Sequence, residues 1–250
     1  YRLRKVHLNQ RIFRLLSRGV CQRDIADELQ ISKDTVAHRV ILYGKFARTQ
    51  RQKQNRKSAP AKELAFDEME SYVHTKCKPV SMIAVVEEKS RRILSVRVAQ
   101  IPAKGRLAKV SRKKYGHRPD YRFHSISLAL QQSSMLAEVP PTVVKSDQNV
   151  IYPRYVRSHF GQTFHDASKG RRAIVAGLGE MKEGGFDPLF SINHTCAMFR
   201  CKTKSLARRT WCTTKLQQRL QDRMDIYSCF HNQAIAGKRP LLSNRLRTAS

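Results

Sequence analysis

The chain has 250 residues, with 49 Lys and Arg against 19 Asp and Glu, so its formal charge is +30 and a polyanion is the expected partner. At 40% hydrophobic residues it has apolar material for one sizeable core and a small satellite domain, which excludes wholesale disorder. No run of 18 apolar residues and no charged-then-apolar leader occurs, so neither a membrane span nor a secretory signal is expected, and the expected compartment is the cytosol. The first residues, from Tyr1, already sit close to a helical pattern, so an upstream segment is expected. Cys21, Cys77, Cys196, Cys201, Cys212 and Cys229 form no Cys-x-x-Cys pair and read as reduced thiols.

From the N-terminus, Leu8, Ile12, Leu15 and Leu16 have the spacing of one helix, which Gly19 can end. A second segment from about Gln22 puts Ile25, Ala26 and Leu29 on one face, and Ser32 is placed to cap a third helix carrying Val36, Val40 and Ile41. Small Ala26, turn residue Ile31 and core Val36 fit a helix-turn-helix, where two helices cross closely over a short turn. Lys33, Asp34, Thr35, His38 and Arg39 would then face the major groove of double-stranded DNA. The bland alternative is a plain three-helix bundle. Residues 1–47 are read as this module. Residues 48–62 are read as a solvated basic linker, whose Arg48 to Lys57 would hold phosphates without reading sequence.

From Leu64 the texture becomes β-branched. Val80 to Val86 and Ile93 to Ala99, separated by the polar residues Glu87 to Arg92, predict a hairpin. Ser125 to Glu138 has helical spacing, Thr142 to Ser146 is a short buried strand ending on Asp147, Tyr152 to Phe160 is helical, and Gln162 to Asp166 is a strand. Gly170 to Gly185 reads as a glycine-containing loop, and helices are predicted at about 190–208 and 213–231. The domain is set at 63–235, with a loose tail at 236–250.

In a chain so poor in acids, a carboxylate inside an apolar run carries information. Alternation puts Asp67 and Met69 on one face of the first strand and Glu68 and Glu70 on the other, while Asp147 stands at a strand end, where open α/β sheets place their sites. Two strand-borne carboxylates among Lys and Arg suggest a Mg2+ site handling phosphodiesters. The order of strand with Asp67, hairpin, helix, strand with Asp147 and closing helices is that of an RNase H-like domain. The fold class is therefore α+β or α/β: an all-α helix-turn-helix module, then an RNase H-like mixed sheet with C-terminal helices.

At this point the chain resembles the bacterial insertion-sequence transposases of the DDE superfamily, and within them the family of insertion sequence one. The resemblance spans the helix-turn-helix to about Asn232. It rests on Phe66-Asp67-Glu68-Met69-Glu70, on Ser146-Asp147 followed by Tyr152 and Phe160, and on Asp187 to His194. It continues through Arg200, Leu206 to Lys215 and His231-Asn232. It implies a nucleoid-associated prokaryotic protein that binds element ends and target DNA, as a possible homodimer on paired ends. It also implies strand cleavage and transfer with two Mg2+ or Mn2+ ions, Asp67 and Asp147 being the first two ligands. The family's third ligand is a Glu before a helix carrying Arg and a Leu-x-Arg-x-Thr pattern; aligned on Arg200 and Leu206 to Thr210, that position is Asn193. An Asn carbonyl can coordinate Mg2+. Glu180 is the competing candidate, and an inactive site is a third possibility.

Between Asp187 and Asp222 no acid occurs, yet Arg200, Lys202, Lys204, Arg208, Arg209, Lys215 and Arg219 do. Such one-signed charge is most easily explained by a phosphate backbone along it, and Arg200, Lys204, Arg208, Arg209 and Lys215 are read as DNA contacts. The eleven Lys and Arg between Glu88 and Asp120 would form a second DNA-facing surface. Glu68 and Glu70 are read as solvated or paired with cations, and Trp211 as a packing anchor between the last helices. The rival from another class is a non-enzymatic, repressor-like DNA-binding protein; a tyrosine recombinase using Tyr72, Tyr152 or Tyr155 lacks its usual Arg and His context.

Overall fold

The structure, a computed structural model, describes residues 5–169, 181–182, 185–207 and 210–238. Three helices come first: α1 (Asn9–Ser17), α2 (Gln22–Glu28) and α3 (Lys33–Lys57). Gly19, at φ +87°, turns the chain out of α1 at no steric cost. The Cys21 thiol accepts the Asp24 N–H at the start of α2, and the Ser32 hydroxyl accepts the Thr35 N–H at 3.1 Å to cap α3. Ile12, Phe13, Leu16, Ile25, Val36, Val40 and Tyr43 close a core of their own.

α3 does not stop where the basic stretch begins. It continues unbroken through residues 48–57, which are therefore not a solvated linker, and Arg51 and Asn55 are buried. The physical reason lies in α8 (Gln217–Ile235), which α3 crosses closely enough that a Cβ on Gly44 would fall 2.4 Å from the Asp222 Cβ. At that crossing the buried Asp225 carboxylate takes Arg48 Nε at 2.8 Å and Arg51 Nη2 at 3.0 Å.

The remaining chain forms β1 (Glu63–Tyr72), β2 (Pro79–Glu87), β3 (Ile93–Gln100), α4 (Leu107–Tyr115), α5 (Arg122–Ser134), β4 (Val143–Asp147), α6 (Tyr152–Phe160), β5 (Phe164–Ser168) and α7 (Phe190–Lys202), ahead of α8. The five strands make one mixed sheet in the order β3-β2-β1-β4-β5, with β1, β2 and β3 antiparallel and β4 and β5 parallel to β1. The period of two sorts β1 between two cores. Ala65 and Met69 pack with Ile192, Cys196, Phe199, Leu220 and Met224 of α7 and α8, whereas Leu64 and Phe66 pack with Ile126, Leu130, Tyr152 and Phe160 of α5 and α6.

The outer edge of β3 is covered by side-chain amides. Asn232 Oδ1 accepts the Ile93 N–H and its Nδ2 donates to the Ile93 carbonyl, while Gln221 Oε1 accepts the Val98 N–H and Gln217 Nε2 donates to the Val98 carbonyl. Arg51 and Asn55 add donors to the carbonyls of Leu94 and Ile93. These groups stand where a further strand would otherwise pair.

Two helix bounds differ from expectation: α7 ends at Lys202, followed by a short 3-10 turn over Lys204–Leu206, and α8 starts at Gln217. Trp211 is not a packing anchor, because the residues around it run as an exposed connection and the indole is fully exposed. The expected loop at 170–185 and the tail at 236–250 lie largely outside the described residues. No cysteine is bonded to another. Among the described residues no helix is long and apolar enough to cross a membrane.

Candidate functional site

β1 and β4 run parallel with Ala65 opposite Lys145, so Asp67 and Asp147, each two residues further on, come to the same level of adjoining strands and the same face. Asp67 is largely buried. Its carboxyl is pushed from 3.8 up to about 7, first by that burial and then by the charge of Asp147, with Glu68 adding to the effect. The Glu68 N–H, donated to Asp67 Oδ1 at 2.7 Å, and the Arg200 guanidinium pull the other way. Asp147 is half-buried and its Oδ1 accepts the Asn149 N–H at 3.1 Å. Two carboxyl groups thus share one place at the sheet, and Arg200 only partly offsets what raises the Asp67 pKa.

α7 covers this face. Cys196 and Arg200, one helical turn apart, are the α7 side chains that feel Asp67, and the buried Cys196 thiol is pushed up to about 12 by desolvation and then by the Asp67 charge. Cys196 escaped the sequence reading, although its position four residues before Arg200 puts both on one face. Asn193 lies near the start of α7. Its Nδ2 donates to Asp187 Oδ2 at 2.8 Å, while Asp187 Oδ1 accepts the Leu189 N–H, so the two residues close the entry into the helix. Glu180 lies outside the described residues. Among the described residues no three His, Cys, Asp or Glu side chains are grouped so as to hold a metal ion.

On the opposite face of β1 the acids are satisfied. Glu68 accepts from the Ser81 hydroxyl and from Tyr152 OH at 3.1 Å, and burial raises its pKa; Glu70 pairs with Lys104 at 2.9 Å and Arg122 at 2.8 Å. Tyr152 is 1% exposed, and burial with the surrounding acids holds its hydroxyl protonated, the reverse of what a nucleophile needs. His194 sits against Phe190 and meets Arg91 at 3.2 Å, close to the β2–β3 turn.

Lys33 and His38 are exposed and Thr35 half-exposed along the first turns of α3. Arg39 departs from the expected groove-facing set: helical spacing carries it inward with Val36, Val40 and Tyr43, it is 4% exposed, and it hydrogen-bonds to Tyr43. Lys204 meets Asp24 of α2 at 3.8 Å, Lys215 is exposed, and Arg208 and Arg209 lie outside the described residues.

No protein-family model matches the chain, and no curated protein matches it. A solved structure described as "Crystal structure of a pre-cleavage Mos1 transpososome" aligns over 90% of this chain and 77% of that one, at 9% identity and a TM-score of 0.21, a likeness too slight to carry a conclusion about fold or chemistry.

Proposed function

We propose that the chain is a transposase-like protein that binds double-stranded DNA and cleaves and joins its strands with an RNase H-like domain. The observation that carries this reading is the pairing of Asp67 and Asp147 at one level of the sheet, where the second carboxylate raises the proton affinity of the first. The strand order, with three antiparallel strands followed by two parallel ones, supports the RNase H-like part of the reading. The exposed first turns of α3 and the +30 charge support the DNA-binding part.

The donor set suits a hard divalent cation, because adjoining carboxylate oxygens are its preferred ligands and it relieves the cost of ionising Asp67. Asp67 and Asp147 would hold Mg2+ or Mn2+, with Asn193 or Glu180 as the further ligand and a second ion at the same site. Such an ion supplies a polarised phosphoryl oxygen and an activated hydroxyl. Arg200 beside Asp67 would orient a non-bridging phosphate oxygen, and the buried Cys196 keeps water from the inner wall of the site. Catalysis would then rest on positioning and charge stabilisation, with no covalent protein nucleophile. Recognition of element ends and target, and pairing of two copies on paired ends, belong to the same proposal.

Incubation of the protein with supercoiled plasmid carrying its candidate end sequence, with Mg2+ or Mn2+, tests it. Nicking that needs the metal and is lost in Asp147→Ala is expected; equal nicking by that variant refutes the assignment. A second reading is favoured by the tie between Asn193 and Asp187 and by the lack of a third grouped acid among the described residues: a DNA-binding, repressor-like protein without cleavage. Retained duplex binding with no metal-dependent nicking would select it.

A further inference from the structure

Beside β3, away from Asp67 and Asp147, α3, α5 and α8 enclose a cleft of about 270 Å3. Arg48, Arg51, Arg97, Tyr121, His124 and Gln218 are among its lining residues. Three guanidinium groups gather there, two of them on one carboxylate. Arg48 and Arg51 both pair with Asp225, while Arg97 makes no hydrogen bond or ion pair with any described residue. Asp222 adds little, since it is bonded to Arg219 and Gln218 and comes no nearer than 4.0 Å to Arg48 Nη2.

The donors are underused as well. Arg48 Nη2 and Arg51 Nε are buried without hydrogen-bond partners, although the Arg51 side chain is 3% exposed. Arg97 loses part of its hold on its proton, first to burial and then to repulsion from Arg48 and Arg51, with Asp225 as a partial offset. Like charges held together where water is partly excluded are costly unless an anion joins them, and guanidinium forks match the oxygens of phosphate. Tyr121, 54% exposed at the rim, offers a ring face on which a base can stack.

We propose that this cleft binds the phosphate of a nucleotide unit through Arg97 and Arg48, with the attached nucleoside against Tyr121. Such a unit can belong to a nucleic-acid strand or be a free nucleotide. The proposal needs neither the cation nor the cleavage assigned to Asp67 and Asp147.

Titration of the whole protein with inorganic phosphate, thymidine 5′-monophosphate and a labelled single-stranded oligothymidylate tests it. The proteins compared are the wild type, Arg97→Gln, Tyr121→Ala, Asp147→Asn and, as a control for removal of one exposed charge, Lys62→Gln. Loss of a charged hydrogen-bond partner should weaken the tightest probe about tenfold in Arg97→Gln. Lys62→Gln should leave it nearly unchanged, and Arg97→Gln should weaken it by the same factor when made in the Asp147→Asn protein. Tyr121→Ala should weaken the two probes that carry a base and spare inorganic phosphate. Tighter binding of the oligonucleotide than of the mononucleotide identifies the strand as the source, and equal affinity identifies the free nucleotide. In phosphate-free buffer Arg97→Gln should melt no lower than the wild type. Equal behaviour of Arg97→Gln and Lys62→Gln on all three probes, or a lower melting temperature for Arg97→Gln, would overturn the proposal.

Discussion

Two carboxylates of this chain, Asp225 fully buried and Asp67 partly so, are treated in opposite ways. Asp225, at the crossing of α3 and α8, has no exposed side-chain surface and is met by Arg48 and Arg51, with Gln221 completing its bonds. Asp67 is buried beside another carboxylate, with Arg200 as a partial offset, and is pushed up to about 7. A buried acid whose partners are complete holds structure together, whereas one set against its own kind is a standing electrostatic cost.

Three substitutions break or sharpen that contrast. The largest effect is expected from Asp225→Ala, which leaves Arg51 buried with its ion pair gone; a loss of about 3–5 kcal/mol follows, lowering the calorimetric melting temperature by roughly 10 °C. A fall of only a degree or two would mean that Asp225 is no more a keystone than Asp67. Next is Asn232→Ala, which removes both amide bonds to Ile93 at the sheet edge. It should cost about 1–3 kcal/mol by chemical denaturation and speed exchange of the Ile93 amide; an unprotected amide in the wild type would contradict the edge cover.

The smallest effect has the opposite sign. At low pH Asp67 is neutral in both folded and unfolded chains and costs nothing. Between 3.8 and about 7 the unfolded chain releases a proton that the folded chain keeps, so stability falls as pH rises through that window. Asp67→Asn removes this fall and should stabilise the protein on the order of 1 kcal/mol at pH 8, part of the gain being offset by the lost attraction to Arg200. Melting curves at pH 5 and pH 8 check it: the wild type should lose stability between them and the variant should lose less. Parallel behaviour would show that the fold does not raise the Asp67 pKa.

Much of the sheet was legible because its signals are local. The runs Val80 to Val86 and Ile93 to Ala99 became β2 and β3, and Tyr152 to Phe160 became α6 with the bounds its spacing predicts. The juxtaposition of Asp67 and Asp147 followed from strand alternation and strand ends. The continuation of α3 was not legible. Arg48 to Lys57 is polar throughout, and what makes it helical and buried is Asp225, Leu94 and Asn232, residues distant in sequence. Cys196 escaped for a similar reason, since nothing beside it in sequence marks its neighbour as Asp67. Arg39 misled because charge suggested exposure where helical period dictated burial.

α3 is one uninterrupted rod of 25 residues, about 37 Å long at 1.5 Å per residue. Its first two residues, Lys33 and Asp34, are exposed and its last turns are fastened to the sheet by Asn55 and Arg51. Lys33 and His38 are therefore held at a fixed span and heading from β3. The helix is a ruler between them, with no hinge to take up a misfit.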